Sequence, residues 1–467
     1  MPLIHEDFLL TTEKAKTLYR HVKDLPVYDF HCHLSPKEIY EDMNFPNITD
    51  LWLRHDHYKW RLMRAYGIEE SMITGDGCDY EKFEAFTKVI PKSMTNPMYH
   101  WCYLELARYF NHFEGVQHTS PEVLYNYLNK VLESEEMTPR NILKKSRVKV
   151  VCTTDDPCDD LYYHKELRKD PSFDIAVRPT FRPDAYITLN EMEIEGTVGR
   201  LEEAAGKTID TLEDYIEALL LRAAYFNDNG ARSADHSFGE VFHISLNDSE
   251  AAECFSRLRA GGTPDRHTLQ GLTGYLFTAL QKRYVEYGWV TQLHLGPLRN
   301  NNTGKFNSIG RDAGFDSLGN LLDADKLNEL LDALDKNDAL GDTIIYPHNA
   351  NDHQMVLSAA GNFTSSERKV QIGAAWWYND TKTGMIEHLI DYGNMSLLPE
   401  FIGMVTDSRS LLSYSRHEYF RRILCEYLGG CVERGEIEDD DVLLKEVLED
   451  ICFNNAEKLF KIIHQEK

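Results

Sequence analysis

Residues 26–33 read PVYDFHCH, a short β-branched and aromatic run that stops abruptly on two histidines. Side chains alternate faces along a strand, so His31 and His33 point the same way, and Asp29 shares their face one step earlier. Cys32 points to the other side. Two imidazoles at this spacing can chelate one divalent ion. The competing reading is a pair of packed core histidines, and the rest of the chain decides between the two.

Seven further runs of the same kind follow: VKVVCTTDDP ending at Pro157, FDIAVRPTFRPD at Asp184, ARSADH at His236, WVTQLHLGPLRN at Asn300, DTIIYPHNAND at Asp352, VQIGAAWWYND at Asp380 and FIGMVTDSRS at Ser410. ARSADH has little β propensity and is the weakest of them. Helical spacing of apolar residues marks stretches between several runs. Thr211–Asn227 carries Leu212, Tyr215, Ile216, Leu219 and Leu220; Leu321–Leu334 carries Leu327, Leu330, Leu331 and Leu334. Strands alternating with helices predict an α/β chain with a parallel sheet. Eight of them match a (β/α)8 TIM-like barrel, here with large helical insertions. That architecture puts its site at the carboxyl ends of the strands, where the polar residues of these runs sit.

The expected organisation has three parts. Residues 1–33 form an N-terminal segment and the first strand. Residues 34–146 form an aromatic-rich helical insertion, placed to cover the site as a lid. Residues 147–467 supply the remaining barrel, with a second helical insertion near 238–288 and C-terminal helices from about His417.

The eighth run ends in Thr406-Asp407-Ser408-Arg409. Asp407 and Arg409 share a face, and in a closed barrel strand eight neighbours strand one. Asp407 is then a third metal ligand or a general base, and Arg409 a fork of donors for a carboxylate. A structural ion pair between them is the alternative. His294 on strand five is a ligand, an acid/base group or a buried structural histidine. Arg182 on strand three suits an anion, with Arg178 beside it for packing. Trp376 and Trp377 on strand seven are a wall for a sugar face or simply core. Asp155-Asp156 reads as a helix cap, and Asn300-Asn301-Asn302 as hydroxyl contacts or turns. His348 on strand six reads as structural. The insertion holds Asp56-His57-Tyr58-Lys59-Trp60-Arg61, either a plain helix start or part of a lid that brings His57 and Tyr58 onto the metal end.

Composition removes several classes. The chain has 467 residues, 42% hydrophobic and 27% charged, a globular balance. With Lys+Arg 50 and Asp+Glu 76, its net charge of -26 argues against nucleic acid and anionic membranes as partners. No apolar stretch approaches a membrane span, and MPLIHEDFLLTTEKAK lacks the signature of a signal peptide. Nine Cys with no C-x-x-C fit reduced thiols and a cytoplasmic location. There is no phosphate-binding G-x-x-x-x-G-K-[ST], well-placed G-x-G-x-x-G or serine-hydrolase G-x-S-x-G. The fourth run ends without a bridging Lys, so any metal centre is expected to be mononuclear.

Taken together, these blocks resemble the uronate (glucuronate) isomerase family of the amidohydrolase superfamily. The resemblance runs through YDFHCHLSPKEI, DHYKWRLMR, TGDGCDYEKF, NPMYHW, TTDDP, HLGPLRNNN, GFDS, WWYND, MVTDSRSLLSYSRHEYFRRILC and ICFNNA. It implies a distorted (β/α)8 barrel and an aldose–ketose isomerase that interconverts D-glucuronate with D-fructuronate and D-galacturonate with D-tagaturonate. It implies a metal site of His31, His33 and Asp407, usually one zinc ion. It also implies substrate contacts at His57, Tyr58, Arg182 and Arg409, with Trp377 and His294 as further candidates. YPHNAND departs from the pattern expected on the sixth strand and leaves the role of His348 open. Proton transfer through an enediol would use Asp407 or Tyr58 as the base at C2, with Arg409 and His57 stabilising the enediolate. The rival readings are a metal-dependent hydrolase of the same superfamily and a sugar-acid-binding protein without catalysis. Preferred uronate and oligomeric state are not legible.

Overall fold

A computed structural model describes residues 2–463. Its strands are short and lie where the apolar runs fall. β1 (Val27–Asp29), β2 (Val148–Cys152) and β3 (Ala176–Arg178) form one parallel sheet in that order. β4 (Ser233–Phe238), β5 (Val290–Leu295), β6 (Thr343–Pro347) and β7 (Val370–Ile372) form a second, also parallel. Nearly all strand residues are buried, as expected for parallel strands covered on both faces. Phe181, just past β3, pairs with both Asp155 and Ala234 and joins the two sheets. The architecture is mixed α/β with parallel sheets and extensive helix.

The polar ends of the runs lie beyond the strands rather than on them. His31 and His33 follow β1, His348 follows β6, and Trp376 and Trp377 follow β7, with Trp377 opening a short 3-10 turn at φ +55°. Chain that has left the ladder can aim side chains that strict alternation would not.

The eighth run is not a strand. Residues 401–409 run alongside β1 through separate contacts: the Asp407 amide donates to the His31 carbonyl (3.1 Å) and the His33 amide to the Ser408 carbonyl (3.0 Å). Two causes are visible. The buried Asp29 carboxylate takes the Thr406 amide (2.9 Å) and hydroxyl (2.6 Å), replacing ladder bonds with side-chain bonds. The backbone also turns left-handed at Gly403 (φ +93°) and Asp407 (φ +44°). A Cβ at Gly403 would lie 2.2 Å from the Ile451 carbonyl oxygen, so no other residue fits there. Asp29 is thereby a tether for this segment and not a companion of the two histidines.

ARSADH, by contrast, forms a full strand extending to Phe238, because β3's continuation and β5 supply partners on both edges. The expected helices also form. Leu212–Asp228 starts on a Thr211/Asp214 capping box, and Ala324–Lys336 starts on Asp323 and buries Leu327, Leu330, Leu331 and Leu334. Between Pro36 and Lys145 the chain is helical, and among the described residues it holds no strand. Near 238–288 it forms Asp248–Arg259 and Arg266–Tyr287, the second of which returns the chain to β5. Helices Ser415–Glu433, Asp441–Glu449 and Asn455–Phe460 follow the eighth run, and residues 464–467 lie outside the described chain. All nine cysteines are free. Among the described residues, no helix is long and apolar enough to cross a membrane.

Candidate active site

His31, His33, His57, Tyr58, Arg182, His294, Trp377, Asp407 and Arg409 all border one cleft of about 750 Å³. On one wall, Asp407 Oδ1 lies 3.0 Å from His33 Nε2 and 3.3 Å from His31 Nε2. The three donor atoms all fall within 4.8 Å of one another. Two imidazoles and a carboxylate gathered this closely fit a borderline divalent ion such as zinc. Burial pushes the His33 imidazole down to about 4, more than Asp407 lifts it, so this ring is neutral and able to ligate. Burial also works against a charged His31, but Asp235 and Asp407 outweigh it and raise this group. The Asp407 carboxyl, although partly withdrawn from water, is held well below the usual range by hydrogen bonds from both histidines.

Beneath these groups lies a rigid floor. His294 stacks on Tyr346 with ring centroids 4.3 Å apart, and the Tyr346 hydroxyl donates to Gln292 (2.9 Å), whose amide donates to the Phe30 carbonyl (3.1 Å). His294 Nδ1 lies 2.7 Å from Asp235 Oδ1, and its ring is 4.7 Å from that of His31. A second possible donor set, His31, Asp235 and His294, therefore shares His31 with the first.

A further part of the wall, next to Asp407 and Arg409, comes from the helical segment. Asp56 caps the helix His57–Tyr66, accepting from the amides of Tyr58 and Lys59 (both 3.1 Å). Lys59 is itself buried and bound to Asp56 (3.1 Å), Glu105 (3.5 Å) and the Trp52 carbonyl (3.2 Å). This anchor fixes the helix start and with it His57 and Tyr58, whose rings stack at 4.8 Å. Trp377 lies 5.6 Å from His57. Burial, then the nearby Asp407 charge, pushes the Tyr58 phenol well above its ordinary range, and burial lowers His57. At the cleft these two present a neutral phenol and a neutral imidazole.

Arg182, read as a residue suited to an anion, borders the cleft already bound to two carboxylates. It is paired with Asp235 (2.9 Å) and Asp184 (3.2 Å), so its charge is already balanced before any substrate binds. Arg409 is more open and touches Asp312 at 3.3 Å. His348 is wholly buried among Trp376, Trp377 and Tyr378, with neither ring nitrogen hydrogen-bonded, and it lies outside the cleft lining. Neither Asp155 nor Asp156 caps a helix as expected: Asp156 accepts from the Cys158 amide in a turn, the next helix, Tyr162–Lys169, starts after Leu161 without a side-chain cap, and Asp155 is buried against Thr153 and the Thr180 amide. Asn302 caps the helix Thr303–Ile309, and the Asn300 amide bonds to Asp316, so this triplet builds a turn.

Known proteins resemble this chain over nearly its whole length. The glucuronate isomerase family model matches residues 1–460. This chain belongs to that family. It is 46% identical to a uronate isomerase of Caldanaerobacter subterraneus subsp. tengcongensis, over 97% of this chain and 98% of that one. The solved uronate isomerase of Thermotoga maritima superposes with a TM-score of 0.92 at 32% identity, covering 98% of this chain and 99% of the other. The glucuronate isomerase of Caulobacter crescentus gives 0.90 at 25% identity, covering 99% and 98%.

Beside the cleft groups, Asp235 was not singled out by its sequence. Asp235 is fully buried and binds both Arg182 and His294, but it lies inside the run with the least β propensity. Trp376 was legible only as half of an aromatic pair. Its indole N–H donates to Asp407 Oδ2 (2.9 Å) and fixes the carboxylate from the side away from the histidines. Trp376→Phe keeps the ring and loses that bond. We expect kcat/KM to fall about tenfold, the cost of one hydrogen bond to a charged group, with metal content unchanged by elemental analysis.

Proposed function

We propose that the chain interconverts D-glucuronate with D-fructuronate and D-galacturonate with D-tagaturonate. The carrying observation is the convergence of His31, His33 and Asp407 on a cleft that also presents Tyr58, His57 and Arg409. In this reading the two sheets and the 401–410 run close into a distorted (β/α)8 barrel, supported by the hydrogen bonds between that run and residues 31–33. Residues 34–146 act as an insertion over the cleft mouth. Nine free cysteines suit a reducing cytoplasm.

His31, His33 and Asp407 would hold one zinc ion. When bound, the ion supplies Lewis-acid stabilisation of negative charge on a substrate oxygen. The chain's own groups divide the remaining work. Asp407 is the ionised member of the pair considered for the base, so it takes the proton from C2. The electron pair left behind forms the C1–C2 double bond as the C1 carbonyl becomes an oxyanion. Tyr58 keeps its proton and donates a hydrogen bond to that oxygen, and the Arg409 cation faces the developing charge. Return of that proton from Asp407 to C1, with transfer of the C2 hydroxyl proton to the C1 oxygen as the C2 carbonyl forms, completes the ketose. Arg182, held by Asp235 and Asp184, positions the substrate's polar groups without becoming an uncompensated charge.

Uronate deuterated at C2, supplied to metal-loaded enzyme, tests this reading. The expected product is a ketose whose label has been partly exchanged with solvent. Chelation should stop turnover and added zinc should restore it. Complete transfer of the label to C1 would replace proton transfer with a hydride shift. Hydrolysis of an ester or lactone without ketose formation would favour the hydrolase reading instead.

A further inference from the structure

A second cleft, of about 510 Å³, lies between the N-terminal helix Glu13–Val22, the end of the helix Pro139–Lys145 and the start of the helix Ser415–Glu433. It shares no lining residue with the active-site cleft. Its wall carries eight Lys and Arg against four Asp and Glu, in a chain whose net charge is -26. Acids are plentiful in this protein, so a cationic cleft is not a by-product of their scarcity.

Some of these cations are spoken for. Arg108 and Arg422 share Glu418, Arg147 pairs with Asp24, and Lys16 pairs with Glu13 and Asp7. Arg20, Lys23, Lys145 and Arg421 have no carboxylate within ion-pair distance among the described residues. Arg421 donates instead to the carbonyls of Leu25 (2.8 Å) and Pro26 (2.7 Å), which leaves its charge unbalanced beneath the cleft. Arg20 and Lys23 are three residues apart and so lie on one helical face. Arg147 reaches the Lys23 carbonyl (3.4 Å), which draws the 145–147 segment and its lysine up to that face. The same wall holds His417, 4% exposed, whose Nε2 is buried with no hydrogen-bond partner.

We infer that this cleft binds a small polyanion, a phosphate ester or polycarboxylate of metabolite size, between Arg20, Lys23 and Lys145 with His417 at its base. The volume lies in the range of small-molecule sites. Unbalanced cations from separate chain segments give such an anion charge-assisted hydrogen bonds from several directions. An acceptor on the ligand would also satisfy His417.

Calorimetric titration of the full-length, metal-loaded protein tests this, with inorganic phosphate in one arm and tricarballylate in the other at constant ionic strength. Saturable binding of either anion is expected, weakened at least about tenfold in R20Q/K23Q/K145Q. Uronate turnover should be unchanged, because none of the three borders the active-site cleft. Lys145→Glu alone, at an exposed helix end, should also weaken binding and guards against misfolding of the triple variant. Binding of phosphate only would assign a phosphate ester, and of tricarballylate only a polycarboxylate. No saturable binding of either at about 10 mM, or equal affinity in wild type and triple variant, overturns the inference.

Discussion

Asp407→Asn is expected to lower kcat/KM for D-glucuronate by about a thousandfold, within the span of a general base's contribution. The substitution preserves volume and removes one negative charge. In the native site that charge lies 3.0 and 3.3 Å from two imidazole nitrogens and accepts the Trp376 indole N–H at 2.9 Å. Asn can still accept from the indole through its carbonyl. It can neither take a proton from carbon nor balance a divalent ion. Steady-state rates on both uronates, with metal content measured in parallel, separate the two roles. A variant that keeps its metal and loses turnover identifies Asp407 as the base; loss of both identifies it first as a ligand. Turnover above about a tenth of wild type would exclude Asp407 from both roles.

What could be read from the sequence was local. The H-x-H spacing, the polar endings of several apolar runs and the cap before His57 are short-range patterns that fell at the cleft, whereas His348 of the sixth run did not. The strand count failed at the eighth run for a long-range reason: Asp29, more than 370 residues earlier, captures the Thr406 amide. Nothing in FIGMVTDSRS announces that partner. Arg182 was legible as a cation, but its neutralisation by Asp235 depends on β4 forming at all, and ARSADH forms a strand only because its neighbours impose it. Strict alternation also misplaced Asp29 beside the histidines, since it continues a strand through residues that have already left the ladder. Side-chain patterns thus located the site, and tertiary register decided which charges in it were free.

Asp235→Asn carries the second large effect, on stability as well as activity. Asp235 is fully buried and receives Arg182 at 2.9 Å and His294 at 2.7 Å; Arg182, then His294 and His31, hold its carboxyl well below the ordinary range despite burial. Asn leaves the Arg182 guanidinium with Asp184 alone, 3.2 Å away. Breaking a buried pair on one side costs about 3 kcal/mol, because the surviving charge stays desolvated. Chemical denaturation should show that loss, and KM for both uronates should rise as Arg182, no longer held by Asp235, leaves its positioning geometry in the cleft. Arg182→Met and the double variant complete a cycle. The double variant should recover part of the stability lost by Asp235→Asn, since it removes the stranded cation, but none of the activity. If Asp235→Asn instead stays within about 0.5 kcal/mol of wild type, the pair is solvated in the folded protein, and the placement of Arg182 must come from Asp184.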